Sequence, residues 1–159
     1  MSKAFTKDYA PDERLVIPSR APLPPGVTNY VTARGMALLR LELAGLEAER
    51  GRLESARGGE DDERRHRLAV LHARLADLVE RIQSAVVVDR HSQPHDEVRF
   101  GATVTLRPPG DPLPTDERHY QIVGVDEADV ANGRVAFVAP IARAILGKRV
   151  GDTALVRTA

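Results

Sequence analysis

The sequence predicts an α+β chain: an N-terminal antiparallel two-helix coiled-coil hairpin followed by a small antiparallel-sheet domain with one short helix. Two apolar series with the same spacing predict the helices, and two adjacent glycines between them predict the turn. After residue 97 the apolar period falls to about 2, which predicts the sheet.

Composition narrows the function classes. The chain has 159 residues, 42% hydrophobic and 29% charged, enough for one ordinary domain or two small ones. Its 23 Lys and Arg balance 23 Asp and Glu, which argues against a whole-protein electrostatic footprint for nucleic acid or anionic membrane. The absence of cysteine excludes disulfides, zinc-thiolate sites and thiol catalysis, and fits a reducing compartment. No segment has an apolar signal region or the roughly 18 apolar residues a bilayer span needs, so a cytoplasmic protein without a membrane partner is expected.

Residues 1–29 carry Pro11, Pro18, Pro22, Pro24 and Pro25 among scattered charges, and show neither helical nor strand periodicity. They bury too little apolar surface to offset chain entropy, and an extended or disordered tail is expected.

Residues 30–88 form the predicted hairpin, with its tip at 57–63. Met36, Leu39, Leu43, Leu46, Arg50 and Leu53 follow a 3, 4, 3, 4, 3 spacing, interrupted in polarity only at Arg50. Leu68, Leu71, Leu75, Leu78, Ile82 and Ala85 repeat it. Paired in antiparallel order, each pair of residue numbers adds to 121, so one hairpin satisfies both seams. A continuous helix over 32–86 is the competitor, but Gly58 and Gly59 at its midpoint cost roughly 2 kcal/mol relative to alanine and instead supply a C-terminal stop.

The turn carries four consecutive acids, Glu60, Asp61, Asp62 and Glu63. One reading is local: Asp61 caps the second helix, and Asp62 and Glu63 complement its dipole by about 0.3–1 kcal/mol each. The other is functional: carboxylates at the end of a rigid rod can be carried into another macromolecule's site, there to hold Mg²⁺ through one or two oxygens.

A polar linker over 89–97 leads to the second domain, 98–159. Residues 102–107, 119–125, 134–138 and 153–157 read as short strands. The stretch 140–148 reads as a short helix with Pro140 in its first position and Gly147 just past its end. The acid run Val125–Asp129 lies between two strands and reads as a solvated turn. His91 and His95 have metal-ligand spacing, but Pro94 between them disfavours the helix that would join them on one face. No phosphate loop, nucleophile elbow or catalytic triad is recognisable, so no catalytic residue and no intrinsic metal or cofactor is expected.

The stretches "FGATVTL" (100–106) and "YQIVGVDEADVANGRVAFVAPIARAILGKRVGD" (120–152) closely resemble the C-terminal domain of the bacterial transcription elongation factors GreA and GreB. "YVTARGMALLRLEL" (30–43) resembles the start of that family's coiled coil. The resemblance implies an FKBP-like second domain that docks at the rim of the secondary channel of RNA polymerase, with Pro140 and Ile141 in the docking surface. It also implies a coiled coil that enters the channel and tip acids that help position the polymerase's Mg²⁺ for hydrolysis of a backtracked transcript. Contact with nascent RNA is then indirect, and the polymerase is the enzyme.

Departures from the family pattern keep alternatives open. The tip here reads "GGEDDERRHR", without the family's Glu-Asn pair and terminal Tyr, and the coiled-coil region is shorter than expected by roughly a dozen residues, which at 1.5 Å per helical residue removes ~9 Å of reach. Ala139 stands where the family commonly has serine, and the chain stops at Ala159 where the family continues through one more strand. A non-cleaving polymerase-binding regulator with a shortened coiled coil, resembling the regulator of nucleoside diphosphate kinase or an inhibitory family member, is the nearest alternative. A peptidyl-prolyl isomerase, invited by the FKBP-like fold, is a remote one.

Overall fold

The computed structural model describes residues 20–56, 61–110 and 117–156. A short strand β1 (Asn29–Val31) leads into helix α1 (Ala33–Ser55), and helix α2 (Asp61–Gln83) returns to strand β2 (Ala85–Val87). The chain enters α1 through Thr32, whose hydroxyl accepts the Gly35 amide at 2.8 Å and so satisfies a donor the first helical turn leaves open. At the tip, Arg64 of α2 donates to the Ala56 carbonyl at 2.7 Å; at the base, Asn29 donates to the Arg81 carbonyl at 2.9 Å. Bonds at both ends of the pair fix the two 23-residue helices as antiparallel.

The predicted seam is the hairpin core. Met36, Leu39 and Leu46 of α1 are buried with Leu71, Leu75 and Leu78 of α2, and Leu43, Leu53, Ile82 and Ala85 pack around them. Leu68 is half-buried outside this cluster, and Arg50 turns to Glu54 along its own helix at 3.8 Å. Gly58, Gly59 and Glu60 lie outside the described residues. α1 ends at Ala56, whose backbone is extended (φ −66, ψ 124). Asp61 is the first residue inside α2 rather than the cap before it.

Strands β3 (Thr103–Leu106), β4 (Arg118–Val123) and β5 (Arg134–Ala136) form a three-stranded sheet in that order. The predicted α+β class holds, but the sheet is mixed rather than wholly antiparallel. β3 and β4 run antiparallel, with Thr103 opposite Gln121, whereas β4 and β5 run parallel, with Gln121 opposite Arg134. A parallel pair requires the chain to cross back before β5, so residues 124–133 form a crossover of two 3₁₀ turns, Val125–Glu127 and Val130–Asn132, rather than a hairpin turn. Gly133 ends the crossover at φ +69, with the His119 carbonyl 2.7 Å from where a Cβ would stand.

Helix α3 (Pro140–Ile145) has Pro140 in its first position and Gly147 beyond its end at φ +79, as its sequence predicts. Its Ala142 and Ile145 bury against Ile122 and Val135 of the sheet. The predicted strand at 153–157 is not formed over Thr153–Val156, and Arg157 lies outside the described residues. Leu155 is exposed there, without the alternating burial a paired strand needs.

The boundary between the predicted tail and the hairpin also moves. Residues 20–28 are ordered against the base of the hairpin, and Asn29 is buried at the start of β1, which pairs in parallel with β2. Between the hairpin and the sheet, Asp89 caps a short 3₁₀ turn at Arg90–Ser92. Among the described residues no helix is long and apolar enough to cross a membrane.

Candidate functional site: hairpin tip, docking helix and the hinge between them

Of the four tip acids, Glu60 lies outside the described residues and Asp61 opens α2. Asp62 and Glu63 are exposed, and Asp62 pairs with Arg65 one turn along the same helix. Hard oxygen donors suit Mg²⁺, which is commonly held by only one or two protein carboxylates. No cluster of three or more potential metal ligands occurs among the described residues. His91 and His95 are both exposed.

Pro140 is exposed on the small domain, and Ile141 beside it is half-buried against the sheet core. The structure does not bring the tip and this helix together. With 23 residues in each arm, the tip stands roughly 34 Å along the helix axis from the hairpin base.

What joins the two parts is a hinge that the sequence reading missed. The run Val125–Asp129, read as a solvated turn, turns Asp126 and Glu127 inward. Glu127 has a side chain only 2% exposed. Its carboxylate accepts the Thr32 hydroxyl and the Arg34 guanidinium, the latter at 3.0 Å. Since Thr32 caps α1, a carboxylate from the small domain sits over the helix N-terminus, where the dipole favours negative charge. Gly35 makes this possible, because a Cβ there would stand 2.8 Å from the Glu127 carboxylate.

Asp126, beside it, accepts Arg20 at 2.9 Å and faces Arg81 of α2 at 3.5 Å, an ion pair containing no hydrogen bond. The apolar side of the hinge is an aromatic triangle: Tyr30 of β1 packs on Phe100 and Phe137 with ring centroids 5.9 and 5.8 Å apart, and those two rings stand 5.6 Å from each other. Two of the three aromatics in the second domain, Phe100 and Phe137, thus belong to the hinge. Gly124 permits the approach, since a Cβ would lie 2.7 Å from the Tyr30 carbonyl.

One signal in the sequence pointed here. Arg34 occupies the first turn of α1, where the helix dipole disfavours a cation, and that first turn carries no acid of its own. A misplaced cation of this kind calls for a carboxylate from elsewhere in the chain.

Comparison with known proteins identifies the family. Residues 93–159 match the family model described as transcription elongation factor, GreA/GreB, C-terminal. Transcription elongation factor GreA of Pseudomonas putida is 40% identical over 147 residues, covering 83% of this chain and 89% of that protein. The GreA of Hyphomonas neptunium is 34% identical over 138 residues, covering 79% of this chain and 86% of that one. Among solved structures, GreA factor homolog 1 of Thermus thermophilus matches 83% of this chain and 91% of that one at 23% identity, with a TM-score of 0.36. The chain belongs to the GreA/GreB family of transcription elongation factors.

Proposed function

We propose that this factor binds RNA polymerase at the rim of the secondary channel through its small domain, with Pro140 and Ile141 in the contact, and directs the hairpin toward the polymerase active site. It acts there as an accessory to the enzyme, and its contact with nascent RNA is indirect. The observation that carries this reading is the hinge: buried carboxylates at Asp126 and Glu127 fix the hairpin base to the docking domain, so the tip is presented by a rod rather than by a tether. Glu60, Asp61, Asp62 and Glu63 are the residues that would contribute oxygen to the polymerase's Mg²⁺, an ion that stabilises charge on a phosphoryl group under attack.

The test is cleavage of a stalled, backtracked transcript by the cognate polymerase, together with co-purification of the factor and core enzyme. Binding with stimulated cleavage, lost when the four acids are changed together to alanine, supports the full reading. Binding without stimulation at saturating factor sinks cleavage and leaves a non-cleaving regulator. Failure to bind core polymerase would refute both.

A further inference from the structure

We infer that residues 20–28 form a strap and that Arg20 is a positioning residue, holding the hairpin at a fixed angle on the small domain from a point ahead of the first strand. The inference rests on the polymerase-binding reading for its functional consequence and on the hinge geometry for everything else.

The strap begins with its sequence, "RAPLPPGVT". Pro22, Pro24 and Pro25 restrict the backbone before it folds, so ordering this segment costs less entropy than ordering nine unrestricted residues. A tight turn follows, in which the Val27 amide donates to the Pro24 carbonyl at 3.2 Å and Gly26 takes φ +75. The far end is anchored by buried Asn29, whose amide donates to the Arg81 carbonyl and to the Ser84 hydroxyl at the end of α2.

The near end is anchored by Arg20, and its partners come from two different bodies. Nη1 donates to Asp126 of the crossover at 2.9 Å, and Nη2 donates to Glu42 of α1 at 2.6 Å. The fork of one guanidinium thus joins a carboxylate of the hairpin to a carboxylate of the small domain. Without the cation, Glu42 loses its bond across the hinge and Asp126 is left facing Arg81 at 3.5 Å. The second arm of the hairpin is joined through the backbone: Arg81 of α2 donates to the Ala21 carbonyl at 2.6 Å while facing Asp126. Partial burial pulls the Arg20 pKa down, but the hydrogen bonds and charges of Glu42 and Asp126 outweigh it and hold the group above its usual value. The guanidinium is therefore charged at any working pH, and the strap acts as a constitutive brace.

The experiment uses the full chain with spin labels at Ser55→Cys, near the tip, and Thr153→Cys, on the small domain; the sequence has no other cysteine to label. The parent protein gives one narrow distance distribution. Arg20→Ala raises the weight of a second, wider component about tenfold, the change that corresponds to losing about 1.4 kcal/mol of charge-assisted bonding. Glu42→Gln produces the same kind of shift, and the double variant adds little to the larger single effect because both remove one interaction. If Arg20→Ala fails to fold, Glu42→Gln carries the test. An unchanged distribution in the folded variants overturns the inference.

With cognate polymerase, a positioning role lowers the maximal effect of Arg20→Ala on elongation while its half-saturating concentration stays near that of the parent. A lesion that merely destabilised the fold would lower the folded fraction and so raise the half-saturating concentration while leaving the maximal effect intact. The two proposals fail separately: parent protein that does not bind polymerase refutes the proposed function, and distances indifferent to Arg20 refute the strap.

Discussion

The Glu127 carboxylate and the Arg34 guanidinium meet at 3.0 Å across the hinge, the first buried in the small domain and the second half-exposed in the first turn of α1. Each removes a local penalty for the other. The carboxylate gains a helix N-terminus and two donors, and the arginine gains the counter-charge that its position in the helix lacks. Glu127→Ala is expected to lower unfolding stability by about 1.5–3 kcal/mol, the range for hydrogen bonds to a charged group. Urea denaturation measures it, and a loss below about half a kcal/mol, the level of an ordinary surface substitution, would show that the contact is incidental.

The glycines of α1 should respond with opposite signs. Gly45 and Gly51 have open space where a Cβ would stand, so Gly45→Ala should stabilise the helix by up to about 1 kcal/mol. Gly35→Ala makes the same gain in propensity but places its methyl 2.8 Å from a pinned carboxylate, and should be net destabilising. Thermal melts of the two variants side by side decide the matter, and a stabilised Gly35→Ala would contradict the placement of Glu127.

Gly124→Ala tests the other half of the hinge. Its backbone, at φ −66, suits alanine, so any cost comes from contact with the Tyr30 carbonyl at 2.7 Å. A backbone atom cannot swing away as a side chain can. We expect about 1–3 kcal/mol of destabilisation, with near-UV dichroism changing as Tyr30 leaves Phe100 and Phe137. An unaltered aromatic signal with unaltered stability would refute the close approach.

Acid should act on the crossover through Asp129. The Asn132 side chain donates to its carboxylate at 2.6 Å, the Asn132 amide adds a second bond, and Arg134 pairs with it at 2.7 Å. Together these hold its pKa below the ordinary carboxylate value, with the Asn132 side chain contributing most. A depressed folded-state pKa means the unfolded chain binds the proton more readily. The contribution is therefore fully present above the unfolded value of about 4 and is lost as pH falls through the lower folded value. Asp129→Asn should flatten that part of the acid limb in urea titrations between neutral pH and about pH 2 while leaving the neutral plateau flat. An acid limb identical to the parent's would exclude the role.

The hairpin was legible because its signal is periodic. Two matching apolar series specify two helices, their faces and their register, and six of the twelve seam positions are buried. Pro140 and Gly147 marked the bounds of α3 for an equally local reason, since each residue fits the backbone conformation its position imposes. The helix that carries Pro140 and Ile141 was readable for the same reason, whereas a docking role for it is implied by the family resemblance alone.

Apart from Arg34 in the first turn of α1, the hinge left no mark in the sequence, because nothing local distinguishes an acid run that faces solvent from one that faces inward. Asp126 and Glu127 become buried only because β5 pairs in parallel with β4, which forces the chain to cross back and carries the two carboxylates onto the start of α1. Residues 20–28, read as a tail, became a strap by the same kind of long-range coincidence, 106 residues separating Arg20 from Asp126. By itself the sequence determined the two long helices, the helix that begins at Pro140, the hairpin seam and the family resemblance, since these depend on spacing along the chain. Only the tertiary structure decided which charges are paired and how the rod is mounted, because Coulomb energy and burial depend on distance in space.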